Sequence, residues 1–380
     1  MTIERIPAIF IRGGTSKGVF FHERDLPEDL AARNQIFLEV IGSPDPNRRQ
    51  MNGMGGGISS LSKVMIVAPS ARHDADIDYT FGQVAIDEPL VDYSSNCGNL
   101  SSAIGPFAID EGLIKSKDGN NLVRLYNTNT DKIVHAHIPV KDGRTVTAGD
   151  FQIQGIAGTG ARLQLDYLDP GGAGTGRLLP TDSVINEIDV ADEGTFTVSL
   201  VDAATPMVYV AASALGMTAT ERPEALDADA SLKHRLEMIR RAGAVRMGLA
   251  NRPEDVAFAS PRIAVVAAPA AFTGLDGSHV AIDDQDITVR VISSGDAHRA
   301  SPLTSAMCLA VAAEIDGTIP NLFAGDCNSA NGADLRIGNP SGVLNVGADV
   351  AREKDGAWRA ISARSYRTQR RLMEGAVILP

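Results

Sequence analysis

Arg12-Gly13-Gly14-Thr15-Ser16-Lys17-Gly18 gathers two fixed positive charges, two hydroxyls and three glycines into seven residues. The apolar run Ile6–Ile11 leads into it and Val19-Phe20-Phe21 leads out, so it reads as a strand–turn–strand. Glycine lets the backbone approach a ligand closely, and Arg12, Thr15, Ser16 and Lys17 supply charge and hydrogen bonds. That content forms a cradle for a small, multiply charged anion. It is not a P-loop, because the G-x4-G-K-[ST] spacing is missing.

Three further segments carry reactive groups. Asn96-Cys97-Gly98-Asn99 stands at the predicted start of a helix. A thiol there meets the positive end of the helix dipole and unpaired N–H groups, which favour thiolate. Gly98 and Asn99 leave room for a ligand carboxylate to use the same amides. A lone cysteine is commonly a small buried hydrophobe, but Cys97 is flanked by polar residues and glycine. Lys63 follows the glycine-rich stretch Met51–Gly57 and opens an apolar strand. A lysine entering such a strand suits a general base, since desolvation favours the neutral amine. Alone, it would equally suit an exposed strand end. Finally, His298 and Arg299 precede a second helix and could grip a carboxylate. Proton abstraction next to a carboxylate fits a lysine, a thiol and several carboxylate clamps.

The remaining candidates read as structural. Cys308 falls inside an Ala-rich helix and belongs to a core, while Cys327 belongs to a loop. His135 and His137, at i, i+2 on a strand, share a face but lack a third ligand nearby in sequence, so no metal is expected. Asp169-Pro170-Gly171-Gly172-Ala173-Gly174-Thr175-Gly176 is a connector that does not satisfy G-x-G-x-x-G, and no nucleotide cofactor is expected.

The elements that must hold these groups are legible in outline. Strands are predicted over 6–11, 63–68, 79–86, 122–126, 133–139, 262–267 and 287–292. Helices are predicted over 30–41, from just after Cys97 to about Gly112, over 231–242 and over about 304–315. Each half runs from strands through a polar turn into an Ala-containing helix ending at glycine: Gly112-Leu113-Ile114 in one half, Gly317-Thr318-Ile319 in the other. Two copies of a sheet wrapped on a buried helix would produce that echo.

Arg12–Gly18, Asp25-Leu26-Pro27, Gly42-Ser43-Pro44-Asp45, Asn52-Gly53-Met54-Gly55-Gly56, Ser62-Lys63-Val64, Asn96–Asn99 and Met373-Glu374-Gly375 together resemble, in this order, the motifs of the PrpF family. The likeness runs from about residue 5 to the C-terminus. It implies an α+β protein of two similar diaminopimelate-epimerase-like domains, each a rolled β-sheet around a central α-helix. Their expected extents are 1–182, completed by the strand at about 366–380, and 183–365, with the active site in the cleft between them. It implies a cofactor-independent allylic isomerase that moves a C=C bond by 1,3-proton transfer. The substrate class is unsaturated di- or tricarboxylic acids such as 2-methylaconitate, aconitate or 4-oxalomesaconate. Lys63 and Cys97 match the family's proposed acid–base pair, and Ser16 matches a serine placed at the substrate. Asn52 stands where members often carry Asp. The alternatives are a racemase or epimerase of the same fold, and a non-catalytic accessory protein to an aconitase-type dehydratase. Epimerases of this fold use two cysteines, one heading each central helix; Ser301-Pro302-Leu303 precedes the second helix here, which disfavours that chemistry.

The totals agree with a soluble enzyme. The 380 residues are 44% hydrophobic and 22% charged, ordinary for a globular protein and enough for two cores. A formal charge of −12 disfavours nucleic acid and membrane surfaces as partners. The start, Met1-Thr2-Ile3-Glu4-Arg5-Ile6, resembles no signal peptide, and no apolar stretch approaches a membrane span. Three scattered cysteines form no disulfide framework. A cytoplasmic location is expected, with a homodimer as a fair expectation for an enzyme of this size.

Overall fold

The computed structural model describes residues 4–94, 96–191, 193–293, 295–324 and 333–379. Cys327 lies outside them. The chain forms two compact units, Met1–Tyr167 with Tyr366–Pro380, and Leu168–Ser365.

In the first unit β1 (Glu4–Gly13) and β2 (Ser16–His22) form an antiparallel hairpin. Gly13 pairs with Ser16, leaving Gly14 and Thr15 as a two-residue loop. Gly14 has φ +52°, the left-handed conformation such a loop demands at its first position. The chain crosses through α1 (Leu30–Ile41) into β3 (Lys63–Pro69), which is parallel to β2 and antiparallel to β4 (Ile77–Val84). It crosses again through α2 (Gly98–Asp110) into Gly119–Asn127, parallel to β4, and continues antiparallel through Lys132–Lys141 and Leu163–Leu168. The C-terminal strand Gln369–Leu379 returns to pair with β1.

The second unit repeats this order of pairings. Gly194–Ala203 pairs antiparallel with Thr205–Ala211, which is parallel to Arg262–Ala267 after the crossover helix Ala230–Arg246. Arg262–Ala267 is antiparallel to Ile287–Ser293, which is parallel to Leu335–Asn339 after the helix Leu303–Ala313. Two antiparallel steps, to Gly342–Arg352 and Trp358–Arg367, complete it. The faint echo in the sequence is thus a repeated topology. Gly112, with φ +69°, follows the C-cap of α2, where a left-handed residue ends a helix, whereas Gly317, with φ +84°, lies in the turn three residues past the C-cap Glu314 of Leu303–Ala313.

Alternation decides which residues meet α2. Val19, Phe21, Val64 and Ile66 pack with Ile36, Phe37 and Ile41 of α1. Phe20, Met65 and Val67 point the other way and pack with Leu100, Ile104 and Phe107 of α2. Both faces of β2 and β3 are covered, which is why these strands read as unbroken apolar runs. With a side-chain period of two, Ser16 shares the α2 face with Phe20, and Lys63 shares it with Met65.

Among the described residues, no helix is long and apolar enough to cross a membrane.

Candidate active site

Three sequence candidates emerge where β2, β3 and α2 begin. Ser16 is the first residue of β2 and Lys63 the first of β3, and the two strands run parallel. Cys97 is the N-cap of α2, with no side-chain hydrogen bond to the first turn. All three are nearly buried, Lys63 with 8% of its surface exposed. The Cys97 thiol donates to Ser16 Oγ at 3.9 Å, a long contact suited to sulfur. Lys63 Nζ donates to Gln83 Oε1 at 2.7 Å and lies 4.7 Å from the centre of the Phe81 ring. Phe81 and Cys97 belong to the same packed cluster around α2. The acid–base candidates therefore share one face of one unit.

Gly18 shows how tightly this face is built. A Cβ on it would lie 2.7 Å from the Lys63 carbonyl oxygen and 3.0 Å from Leu100 Cδ1. Only a glycine lets β2, the Lys63 backbone and the first turn of α2 approach so closely.

The head of α2 is tied to the β1–β2 loop by polar contacts. Asn99 Nδ2 donates to Thr15 Oγ1 at 3.0 Å, and Asn99 Oδ1 accepts from Arg367 Nε at 3.1 Å. Tyr167 donates to the Gly98 carbonyl at 3.2 Å. Arg367 is buried, and that burial pulls its guanidinium below its ordinary value. Sequence reasoning expected the C-terminal segment to complete this unit but missed Arg367, because its pairing with Asn99 is a tertiary contact that no local pattern marks. Gln83 was missed as well; its signal would have been the pairing register of β3 and β4, in which it lies opposite Lys63.

The other candidates are placed as follows. Arg12 Nη1 donates to the carbonyls of Gly14 and Thr368, at 2.9 and 3.0 Å, bracing the loop against the C-terminal segment. Lys17 Nζ lies 5.4 Å from the centre of the Phe10 ring. In the second unit Arg299 pairs with Glu224 at 2.6 Å, and His298 Nδ1 accepts from the Ala300 amide at 3.2 Å. Cys308 is fully buried with its thiol on the Val201 carbonyl, and burial pushes it up to about 12. His137 pairs with Asp166 at 2.9 Å. Among the described residues, no three or more His, Cys, Asp or Glu side chains could hold a metal ion together.

The Cys97 thiol stands at the uncapped head of α2 beside the Ser16 hydroxyl, and the Lys63 amine lies on the same face of the sheet. An amine, a thiol and N–H and O–H donors are the parts needed to take a proton from carbon and stabilise the anion left behind. A family model described as PrpF protein matches residues 3–380. The 2-methyl-aconitate isomerase of Shewanella oneidensis is 40% identical, over 99% of this chain and 97% of its own. The 3-methylitaconate isomerase of Eubacterium barkeri is 39% identical, over 98% and 97%. A solved structure of methylitaconate-delta-isomerase matches with TM-score 0.92 and 38% identity, covering 100% of this chain and 96% of that one.

Proposed function

Since the chain belongs to the PrpF family, we propose that it shifts a C=C bond by 1,3-proton transfer in an unsaturated di- or tricarboxylic acid, with Lys63 and Cys97 as its acid–base groups. That it is an isomerase of unsaturated carboxylic acids follows from its relatives. The substrate and the residue roles are our reading. Relatives named for 2-methyl-aconitate and 3-methylitaconate act on short, branched polyanions. The same chemical class suits a hairpin bearing Arg12, Thr15 and Ser16, whereas Lys17, one position past Ser16, turns to the opposite face of β2 beside Phe10.

In this mechanism the acid binds with its carboxylates toward the β1–β2 loop and the head of α2. Lys63, as the free amine, removes a hydrogen from the carbon beyond the double bond. The dienolate spreads its charge onto a carboxylate oxygen met by Ser16 and by the amides of Gly98 and Asn99. The double bond moves when the far end of the allyl unit is protonated, either by the Lys63 ammonium giving back the same proton or by the Cys97 thiol, whose thiolate then regains a proton from the Lys63 ammonium or solvent. The supporting observation is that Ser16, Lys63 and Cys97 share one face at the start of their elements.

Lys63→Met removes the amine while keeping an unbranched stem. Proton NMR of the variant with a panel of unsaturated di- and tricarboxylic acids should show turnover lowered by several orders of magnitude, with the fold retained by circular dichroism. A variant running near the wild-type rate would end the assignment of Lys63.

A further inference from the structure

We propose that Gln83 is a positioning residue for the Lys63 amine, fixing where its hydrogens point; this rests on the reading of Lys63 as the base. Lys63 and Gln83 are directly opposed in the β3–β4 register, and Nζ donates to Oε1 at 2.7 Å. An amide can be turned end for end, but here its orientation is dictated by its other partners. Gln83 Nε2 donates to the Ser59 carbonyl at 3.1 Å and the Ser62 carbonyl at 2.9 Å. Two carbonyls demand the NH2 end, so the oxygen must face the amine.

The surroundings explain why an amide suits this position. Phe81, two residues before Gln83 and therefore on the same face of β4, lays its ring against Nζ. Among the described residues, no carboxylate forms an ion pair with Lys63. Other titratable groups of this face have partners of their own. Tyr79 on β4 bonds to Ser101, Cys97 at the head of α2 contacts Ser16, and His22 at the far end of β2 pairs with Glu111. A neutral acceptor thus orients one N–H without contributing the full negative charge that would hold the lysine as ammonium. Because the same amide grips Ser59 and Ser62, it also couples the amine to the turn that follows the glycine-rich segment.

Rate–pH profiles of Gln83→Glu and Gln83→Met test this against Lys63→Met. Glutamate keeps the length and planarity but adds charge, so the acid limb of kcat should move up by about one pH unit. That is roughly a tenfold loss at neutral pH, recovered at higher pH. Methionine removes the acceptor, so the limb should move down while kcat falls. Opposite movements support the proposal; a uniform loss with both limbs unmoved marks a merely structural residue and overturns it. Should the methionine variant fail to fold, the glutamate limb decides alone. An inactive Lys63→Met beside unmoved limbs removes only the role of Gln83, whereas an active Lys63→Met removes the base assignment itself.

Discussion

The Cys97 thiol and the Ser16 hydroxyl touch across 3.9 Å, joining the N-cap of α2 to the first residue of β2. One is a proton carrier and the other a donor at the point where charge develops in the proposed reaction. Ser16→Ala removes the hydroxyl and nothing else of that size. We expect kcat/KM to fall about a hundredfold, as when one donor to a developing oxyanion is lost, with the melting temperature little changed. An unaltered kcat/KM would take Ser16 out of the site.

Arg367 makes a different kind of contribution. Its Nε holds Asn99 Oδ1, and Asn99 in turn holds Thr15, so one buried cation braces the whole anion loop. Arg367→Met leaves Asn99 Oδ1 without this partner, which costs about 1–3 kcal/mol. The expected result is a lower denaturant midpoint together with a raised KM. A change in stability with KM untouched would make Arg367 a fold residue only.

These two residues mark the limit of what the sequence reveals. Ser16 stands in a run whose chemistry is visible in seven letters, and the polar residues flanking Cys97 single it out. The helix 30–41 was readable because Asp29 caps it, its amide partner being Ala32, and Gly42 stops it with φ +82°. Arg367 lies 268 positions from Asn99; the family resemblance implies that the segment from about 366 completes the first unit, but nothing in its residues marks Arg367 as the partner of Asn99. Gln83 is silent for a related reason. Its partner is fixed by strand register across a 20-residue separation, and register is a property of the assembled sheet. Lys63 itself was ambiguous until parity placed it on the α2 face with Met65.

Cys308 separates the isomerase chemistry from two-thiol racemisation. It is the sixth residue of the helix Leu303–Ala313, fully buried, with its thiol on the Val201 carbonyl. Burial, which pushes it up to about 12, keeps it a neutral thiol at any working pH. Cys308→Ala should therefore leave the rate of double-bond migration unchanged while costing about 1 kcal/mol for the small cavity. A loss of turnover comparable to that of Cys97→Ala would assign Cys308 to the reaction.

The second unit carries a pH-dependent element of its own. Glu314 caps the C-terminal end of the same helix, where the helix dipole opposes a negative charge. Burial first, then Asp349 and Asp316, push its carboxyl from 4.5 up to about 7. Below about pH 4.5 the group is protonated in both folded and unfolded chains and stability is unaffected. Between there and about 7 the unfolded carboxylic acid ionises freely while the folded one resists, so stability falls as pH rises and then levels off. Glu314 is only half-buried, so solvent screening reduces the loss to about 1 kcal/mol. Glu314→Gln has no proton to lose. Its melting temperature should match wild type near pH 4.5 and exceed it above pH 7.5, and parallel melting curves across that range would show that the carboxyl titrates as it does in the unfolded chain.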